Sequence, residues 1–369
     1  FRSNPALSFV DLSDLMMPEL AVQSKPGTIC VVRLSAIGDT CHALAVIRRL
    51  QDNWPDVRIT WIIGKTEASL MSDIADIEFI IFDKSIGRRA YKDVKAKLKT
   101  RVFDVALCMH ASMRANLLCR VIPAKLRLGF DKARARDFQW LFTDRRVAAS
   151  EGEHSLEAMM CFATAVGAEP RDLRWDIRLS ETDRAFAGKL VDGRAPVVVI
   201  SPCSSQRSRN YRNWDIENYA ATIRHLQDKH SCTVILTGGN TDIEHRYGAA
   251  LADSQAPDIL NMIGKTSLKE LLALINVADL VICPDSGPAH MATAVGTPVI
   301  GLYATSNPAR TGPYLSQELT VNRYPDAVKT FLQRDVDQIR WGRRVRNAAA
   351  MDLITILDVT DKIDDFFGK

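Results

Sequence analysis

Short apolar runs alternate along the chain with stretches whose apolar positions recur every three or four residues. The runs at Thr28–Leu34, Arg58–Ile63, Phe79–Phe82, Val102–Cys108 and Leu126–Gly129 read as strands. The stretches at about 40–53, 65–75, 88–99, 112–120 and 153–166 read as amphipathic helices. The alternation resumes after Pro196, with strands at about 197–201, 232–236, 258–261, 279–283 and 298–302. Helices at about 215–229, 241–252, 267–276 and 288–295 lie between them. The tail "MDLITILDVTDKIDDFF" has the pattern of one more amphipathic helix. Strand–helix alternation of this kind predicts α/β layers over parallel sheets. Ser180–Pro196 is polar and reads as the connection between two doubly wound halves. Ligands of such sheets bind beyond the carboxyl ends of the strands, so those ends should face a shared cleft. The expected division is residues 26–185 and 195–330, with 331–369 forming helices that pack back on the first domain. Residues 1–25 read as a leader outside the fold.

Length and composition agree with this picture and narrow it. A chain of 369 residues is too long for one compact core, and 47% apolar with 25% charged residues is ordinary for a globular protein. No apolar run approaches the ~18 residues of a membrane span, and no basic head precedes an apolar core as in a secretory signal. Eight cysteines (Cys30, Cys41, Cys108, Cys119, Cys161, Cys203, Cys232, Cys283) are scattered without a CxxC pair. They read as reduced thiols of a cytoplasmic protein and not as a disulfide framework or a zinc site.

The net charge of +4 hides an asymmetry, because Lys84–Arg146 holds 17 Lys or Arg against 5 Asp. Within it Arg88, Lys92, Lys95 and Lys99 share one helical face, while Tyr91, Val94 and Leu98 fall on another. An excess of this size predicts an anionic partner: a phosphorylated substrate, a membrane surface or nucleic acid. No helix-turn-helix, zinc-finger or RRM pattern supports the last.

Three strand–turn–helix segments carry candidate chemistry. "VVRLSAIGDTCHALAVI" places Asp39 where an apolar run gives way to a helix, as a cap or as a base. "CPDSGPAHMATAVG" places Asp285 or Ser286 as a cap, Gly287 at the turn and His290 one turn in. The open N–H groups of such a mouth suit a diphosphate, although the same pattern serves ordinary helix connections. "LTGGNTDIEH" offers Gly238 and Gly239 for close backbone approach, and Glu244 either as an acceptor for a ribose or as a solvated helix residue. "SPCSSQRSRNYRNW" gathers Ser201, Ser204 and Ser205 with Arg207, Arg209 and Arg212, as an anion-binding loop or as a basic surface loop. No GxGxxG follows the first strand and no GxxxxGK[ST] occurs. Those absences argue against a dehydrogenase and a P-loop NTPase, and no GxSxG or HExxH is present.

"RLSAIGDTCHALAVIRRL", "NWDIENYA", "LTGG" and "CPDSGPAHMATAVGTPVIGLY", in that order, resemble glycosyltransferase family 9, the lipopolysaccharide heptosyltransferases. The likeness runs from about Ile29 to Tyr314 and is nearest the heptosyltransferase I branch. The resemblance implies a GT-B fold whose second domain binds ADP-heptose and whose first binds Kdo–lipid A. It implies inverting transfer with no cofactor and no metal, at the cytoplasmic face of the inner membrane, with no nucleic-acid partner. Asp39 then matches the general base. Ser201, Arg212, Gly238, Gly239, Glu244, Asp285, Ser286, Gly287 and His290 fall on the sugar-nucleotide side. Arg33, Ser35, Gly38, Arg88, Arg89, Lys92 and Arg114 fall on the acceptor side. Two positions depart from the family's Lys-x-Trp-Pro motif, with Arg212 for Lys and Asp215 for Pro, and Ser286 replaces a Thr. A different family 9 donor or acceptor, a GT-B sugar-nucleotide epimerase and a non-catalytic nucleotide-sugar-binding protein are the competing readings.

Overall fold

The computed structural model describes residues 25–149, 152–194, 196–204, 210–253 and 259–368. The expected leader, apart from Lys25, and Ser205, Arg207 and Arg209 of the basic loop lie outside the described residues.

The first half holds strands β1 (Thr28–Val32), β2 (Arg58–Gly64), β3 (Ile77–Phe82), β4 (Phe103–Leu107), β5 (Ala124–Gly129) and β6 (Arg145–Arg146). Its helices are α1 (Ile37–Asn53), α2 (Lys65–Met71), α3 (Arg88–Lys97), α4 (Met113–Val121) and α5 (Ser155–Ala165). The second half holds α6 (Glu181–Val191), β7 (Val197–Ile200), α7 (Ile216–His230), β8 (Thr233–Leu236), α8 (Asp242–Ala252), β9 (Ile259–Asn261) and α9 (Leu268–Val277). It continues with β10 (Leu280–Pro284), α10 (Gly287–Val295), β11 (Val299–Tyr303), α11 (Pro308–Thr311), β12 (Val321–Asn322), α12 (Tyr324–Leu332) and α13 (Ile356–Phe367).

All strand pairs are parallel, and the sheet orders are β3-β2-β1-β4-β5-β6 and β12-β11-β10-β7-β8-β9. Read from its own first strand, each half repeats the same doubly wound order. Each therefore has a switch point, between β1 and β4 and between β7 and β10, where the connections leave in opposite directions and open a crevice. Central strands are apolar on both faces because helices cover both: Val197–Ile200 and Leu280–Pro284 are buried throughout. The two halves share one continuous core, in which α1, α5, α9 and α10 contribute side chains. All eight cysteines are free thiols, seven of them buried.

Two expectations are corrected. Ser180–Pro196 is no simple linker. Ser180 and Asp183 form a reciprocal cap, and Ala187, with Phe186 and Leu190 beside it, packs helix α6 against α9. Its polar surface residues hid a narrow apolar stripe. The C-terminal segment does not fold back as helices on the first half. Helix α13 packs on α7, where Asp364 accepts from His225 and His230 at 2.8 and 2.7 Å and from Lys229 at 2.8 Å. Only the loop before it crosses over: Arg340 donates to Ala133 O and Trp341 Nε1 to Glu153 O.

Candidate active site

Both switch points face the same cleft, and the helices that start there, α1 and α10, pack against one another. In α1 the N-cap is Ala36, which has no side-chain oxygen, and Asp39 lies in the first turn. The helix begins three residues earlier than the pattern predicted, so Asp39 is no N-cap. Its carboxylate reaches back to accept from Ala36 N–H at 3.3 Å and pairs with the Arg33 guanidinium. Arg33 is only 8% exposed and donates to Met109 O at 2.6 Å, which holds its guanidinium beside Asp39. Asp39 keeps 37% of its side chain open. Burial pushes its carboxyl up, but Arg33, the nearby histidines and the Ala36 N–H outweigh this and hold it at about 2. His110, beyond β4, accepts from Leu34 N–H at 3.2 Å and steadies the same loop; burial and Arg33 bring its imidazole down to about 4.

Gly38 is required by close approach. A Cβ there would lie 2.2 Å from Cδ2 of His290 on α10, so the two helices meet only because this position lacks a side chain. The sequence placed Gly38 with the acceptor and His290 with a phosphate. The structure uses both at the junction of the halves. His290 is 9% exposed, its Nδ1 is buried without a partner, and its ring meets His42 edge-on at 4.7 Å. His42 continues to His154, whose Nε2–H donates to Gly312 O at 2.9 Å while its Nδ1 accepts from Leu156 N–H. Burial lowers the pKa of all three imidazoles, that of His154 to about 4.

On the second half, Asp285 is buried after β10. Its Oδ2 accepts from Ser306 Oγ at 2.8 Å and faces Arg212 at 3.4 Å and Arg344 at 3.7 Å. Arg212 also donates to Asp285 O at 2.8 Å. Ser286 turns its hydroxyl to Pro284 O at 3.0 Å and makes no cap hydrogen bond, whereas Asp215, Thr241 and Ser267 cap their helices. The mouth of α10, beginning at Gly287, thus lacks the side-chain cap its neighbours have, and its positive end opens on the cleft.

Other expected residues have these surroundings within the protein. Ser201 is 2% exposed and its hydroxyl bonds Thr237 Oγ1 at 2.6 Å, bridging β7 and β8. Glu244 is half-buried and accepts from Gly239 N–H at 2.7 Å and from Thr241 Oγ1 at 2.6 Å, closing the Gly238–Gly239 turn. Ser35 is half-buried in the β1–α1 loop. Arg88, Arg89 and Lys92 on α3, and Arg114 on α4, are exposed side chains of the first half, with no bond to Asp39. Sequence reasoning missed Arg310, which lies along Gly342, where a Cβ would meet its Nε at 2.7 Å. Burial lowers its pKa, against the pull of Asp39 from one half and Asp285 from the other. Its signal was the arginine in "SNPARTGPY", just past β11. Among the described residues the one metal-like cluster, His225, His230 and Asp364, joins α7 to α13 and belongs to neither switch point.

An ionised carboxylate on one wall, and an uncapped helix mouth flanked by arginines on the other, suit transfer of a group from an anionic leaving group to a hydroxyl. The comparisons agree. Residues 92–335 match glycosyltransferase family 9 (heptosyltransferase). The chain is 37% identical over 331 residues to the lipopolysaccharide core heptosyltransferase OpsX of Haemophilus influenzae, covering 90% of this chain and 94% of that one. Its fold is similar to that of a family 9 glycosyltransferase from Veillonella parvula (TM-score 0.73, 18% identity, 93% and 99% covered). It is also similar to that of Escherichia coli heptosyltransferase WaaC with ADP (TM-score 0.70, 17% identity, 92% and 99% covered). The fold is thus GT-B, and this chain is a glycosyltransferase that belongs to family 9, the heptosyltransferases.

Proposed function

We propose that the enzyme moves heptose from ADP-L-glycero-D-manno-heptose to Kdo of lipid A–Kdo, with inversion and without a metal. The observation that carries this reading is Asp39: an ionised, partly open carboxylate at one switch point, in the first turn of the helix that packs against α10 of the other. The relatives' names support heptose as the sugar and the lipopolysaccharide core as its destination.

Asp39 takes the proton of the attacking hydroxyl. With its pKa near 2 it is always ionised but weakly basic, so the proton moves late, once bonding to the anomeric carbon has acidified the hydroxyl. Arg33 fixes the carboxylate's direction. The leaving ADP gains charge as the glycosidic bond breaks. The α10 mouth, Arg212 and Arg310 meet that charge, as preorganised donors stabilise a developing anion without reorganising. These groups take the place of a divalent cation. Asp285 holds Arg212 in place and does not touch the sugar.

The test is ADP release with purified Kdo–lipid A, with NMR assignment of the new anomeric configuration. Asp39→Asn should lower kcat by ~10²–10⁴-fold with ADP affinity kept, and EDTA should leave the rate unchanged. Wild-type turnover by Asp39→Asn refutes the base. Donor turnover without acceptor would instead favour an epimerase.

A further inference from the structure

The β5–β6 connection of the first half, residues 131–142, reads DKARARDFQWLF. Three of its large apolar side chains stand in solvent: Phe138 at 62%, Trp140 at 51% and Leu141 at 58% exposure. Met113 and Leu117, one turn apart on α4, are exposed beside them at 42% and 45%. Scattered exposed hydrophobes need no explanation, but contiguous ones rimmed by charge mark an interaction surface. This patch is rimmed by Lys132, Arg136, Arg114 and Arg120, all exposed.

The loop is built to hold these side chains out. Asp137 and Phe138 have φ of 52° and 57°, a left-handed backbone that Asp tolerates and Phe does not. Fully buried Asn116 fixes this conformation by donating to Arg136 O and Asp137 O at 3.2 and 2.8 Å, and Met113 N–H donates to Asp137 Oδ2 at 2.8 Å. Gln139, between the exposed residues, is fully buried and is tied to Phe130 N and Cys108 O. A backbone clamped in an unfavourable conformation, with aromatic residues outward, is the opposite of a loop that collapsed for want of a core.

We infer that Phe138, Trp140 and Leu141 insert into the headgroup–acyl boundary of an anionic lipid bilayer and dock the first half on the membrane. Aromatic and aliphatic side chains inside a ring of Lys and Arg are the composition of an interfacial anchor. Charge complementarity selects anionic lipid over a neutral protein partner, because the surrounding region carries its large excess of cations. The loop leaves the carboxyl end of β5, on the cleft side of the sheet. Arg340 and Trp341 tie its neighbourhood to the second half, so the cleft opens beside the lipid surface. This inference rests on the reading above that the acceptor is lipid-linked.

The test uses vesicles of phosphatidylethanolamine and phosphatidylglycerol and the full chain. Trp140 emission, isolated by subtracting the spectrum of Trp140→Phe, should shift to the blue and be quenched by lipids brominated near the headgroup. In 0.5 M salt, where the charges are screened, Phe138→Ser/Trp140→Ser/Leu141→Ser should lose at least tenfold in partitioning. The same variant should keep wild-type ADP release with a soluble, delipidated Kdo acceptor, which separates failure of docking from failure of the proposed reaction. Equal partitioning by variant and wild type, or unchanged Trp140 emission, overturns the inference. A lipid-free dimer that this variant abolishes overturns it in favour of a second copy of the chain.

Discussion

Replacing Gly38 with alanine puts a methyl group 2.2 Å from His290 Cδ2, 2.8 Å from its Cγ and 3.1 Å from its Nε2. Ordinary carbon contacts need about 3.5 Å or more, so α1 and α10 must part by about 1 Å or the ring must swing. The ring has little freedom, being 9% exposed and hemmed by His42. Overpacking of this kind costs ~1–3 kcal/mol. Against it stands the helix propensity of alanine, worth up to about 1 kcal/mol over glycine. The net expectation is a loss of about 1–2 kcal/mol in urea unfolding. In a His290→Ala background the clash is gone and only the propensity remains. There Gly38→Ala should be neutral or stabilising by up to about 1 kcal/mol, so its effect changes sign between backgrounds. Activity follows separately. A displacement of about 1 Å between Asp39 and the donor mouth should cost ~10²-fold in kcat. An equal cost of Gly38→Ala in both backgrounds, or none in the wild type, would refute the contact and the argument built on it.

Other outcomes follow from the same geometry. His42, His110, His154 and His290 are held neutral, so below pH ~6.5 the unfolded chain binds protons that the folded one refuses. Stability should therefore fall as pH drops from about 6.5 toward 4, and His154→Gln should flatten that slope in thermal melts. Asp39, with its pKa lowered, adds a further loss only below about pH 4. Arg212→Ala should weaken ADP binding ~10-fold or more by calorimetry, because it removes a charge-assisted contact and leaves buried Asp285 with only Ser306 and the more distant Arg344. Arg310→Met should lower kcat more than it raises the KM of the donor if its charge serves the leaving group. Reversing the exposed charges of Arg88, Arg89 and Lys92 should weaken binding to anionic vesicles at low salt and leave binding at high salt nearly unchanged.

The sheets were legible because buried parallel strands are continuous apolar runs, and Val197–Ile200 and Leu280–Pro284 stand out against polar neighbours. Helix α6 was not, because its apolar stripe is narrow and its exposed face is as polar as a linker. The motifs located both walls of the cleft, but not the contacts each residue makes within the protein. The resemblance placed Gly38 on the acceptor side, and nothing local in the sequence announces that it also packs against His290 of the other half. The spacing of Glu244 does not reveal that its two oxygens close a turn by accepting from the Gly239 N–H and Thr241. Arg310 was overlooked because its meaning depends on Gly342, distant in sequence and adjacent in space. Local pattern encodes which strand end a residue occupies. What that residue faces is set by how the halves dock.

The repeated sheet order has a mechanical consequence. Each sheet is rigid in itself, but no ladder hydrogen bond spans the two. Among the described residues Asp39 and Asp285 are therefore registered to each other through side-chain and loop contacts and the shared core, among them Gly38 against His290, His154 on Gly312, Lys269 on Asp73, and Arg340 and Trp341 on the first half. These act as the bearings of a two-part jaw in which a misplacement of about 1 Å is already costly. Wear at a remote bearing, such as Trp341, should be felt as misalignment at the jaw tip, as lost turnover in a protein whose halves are each still intact.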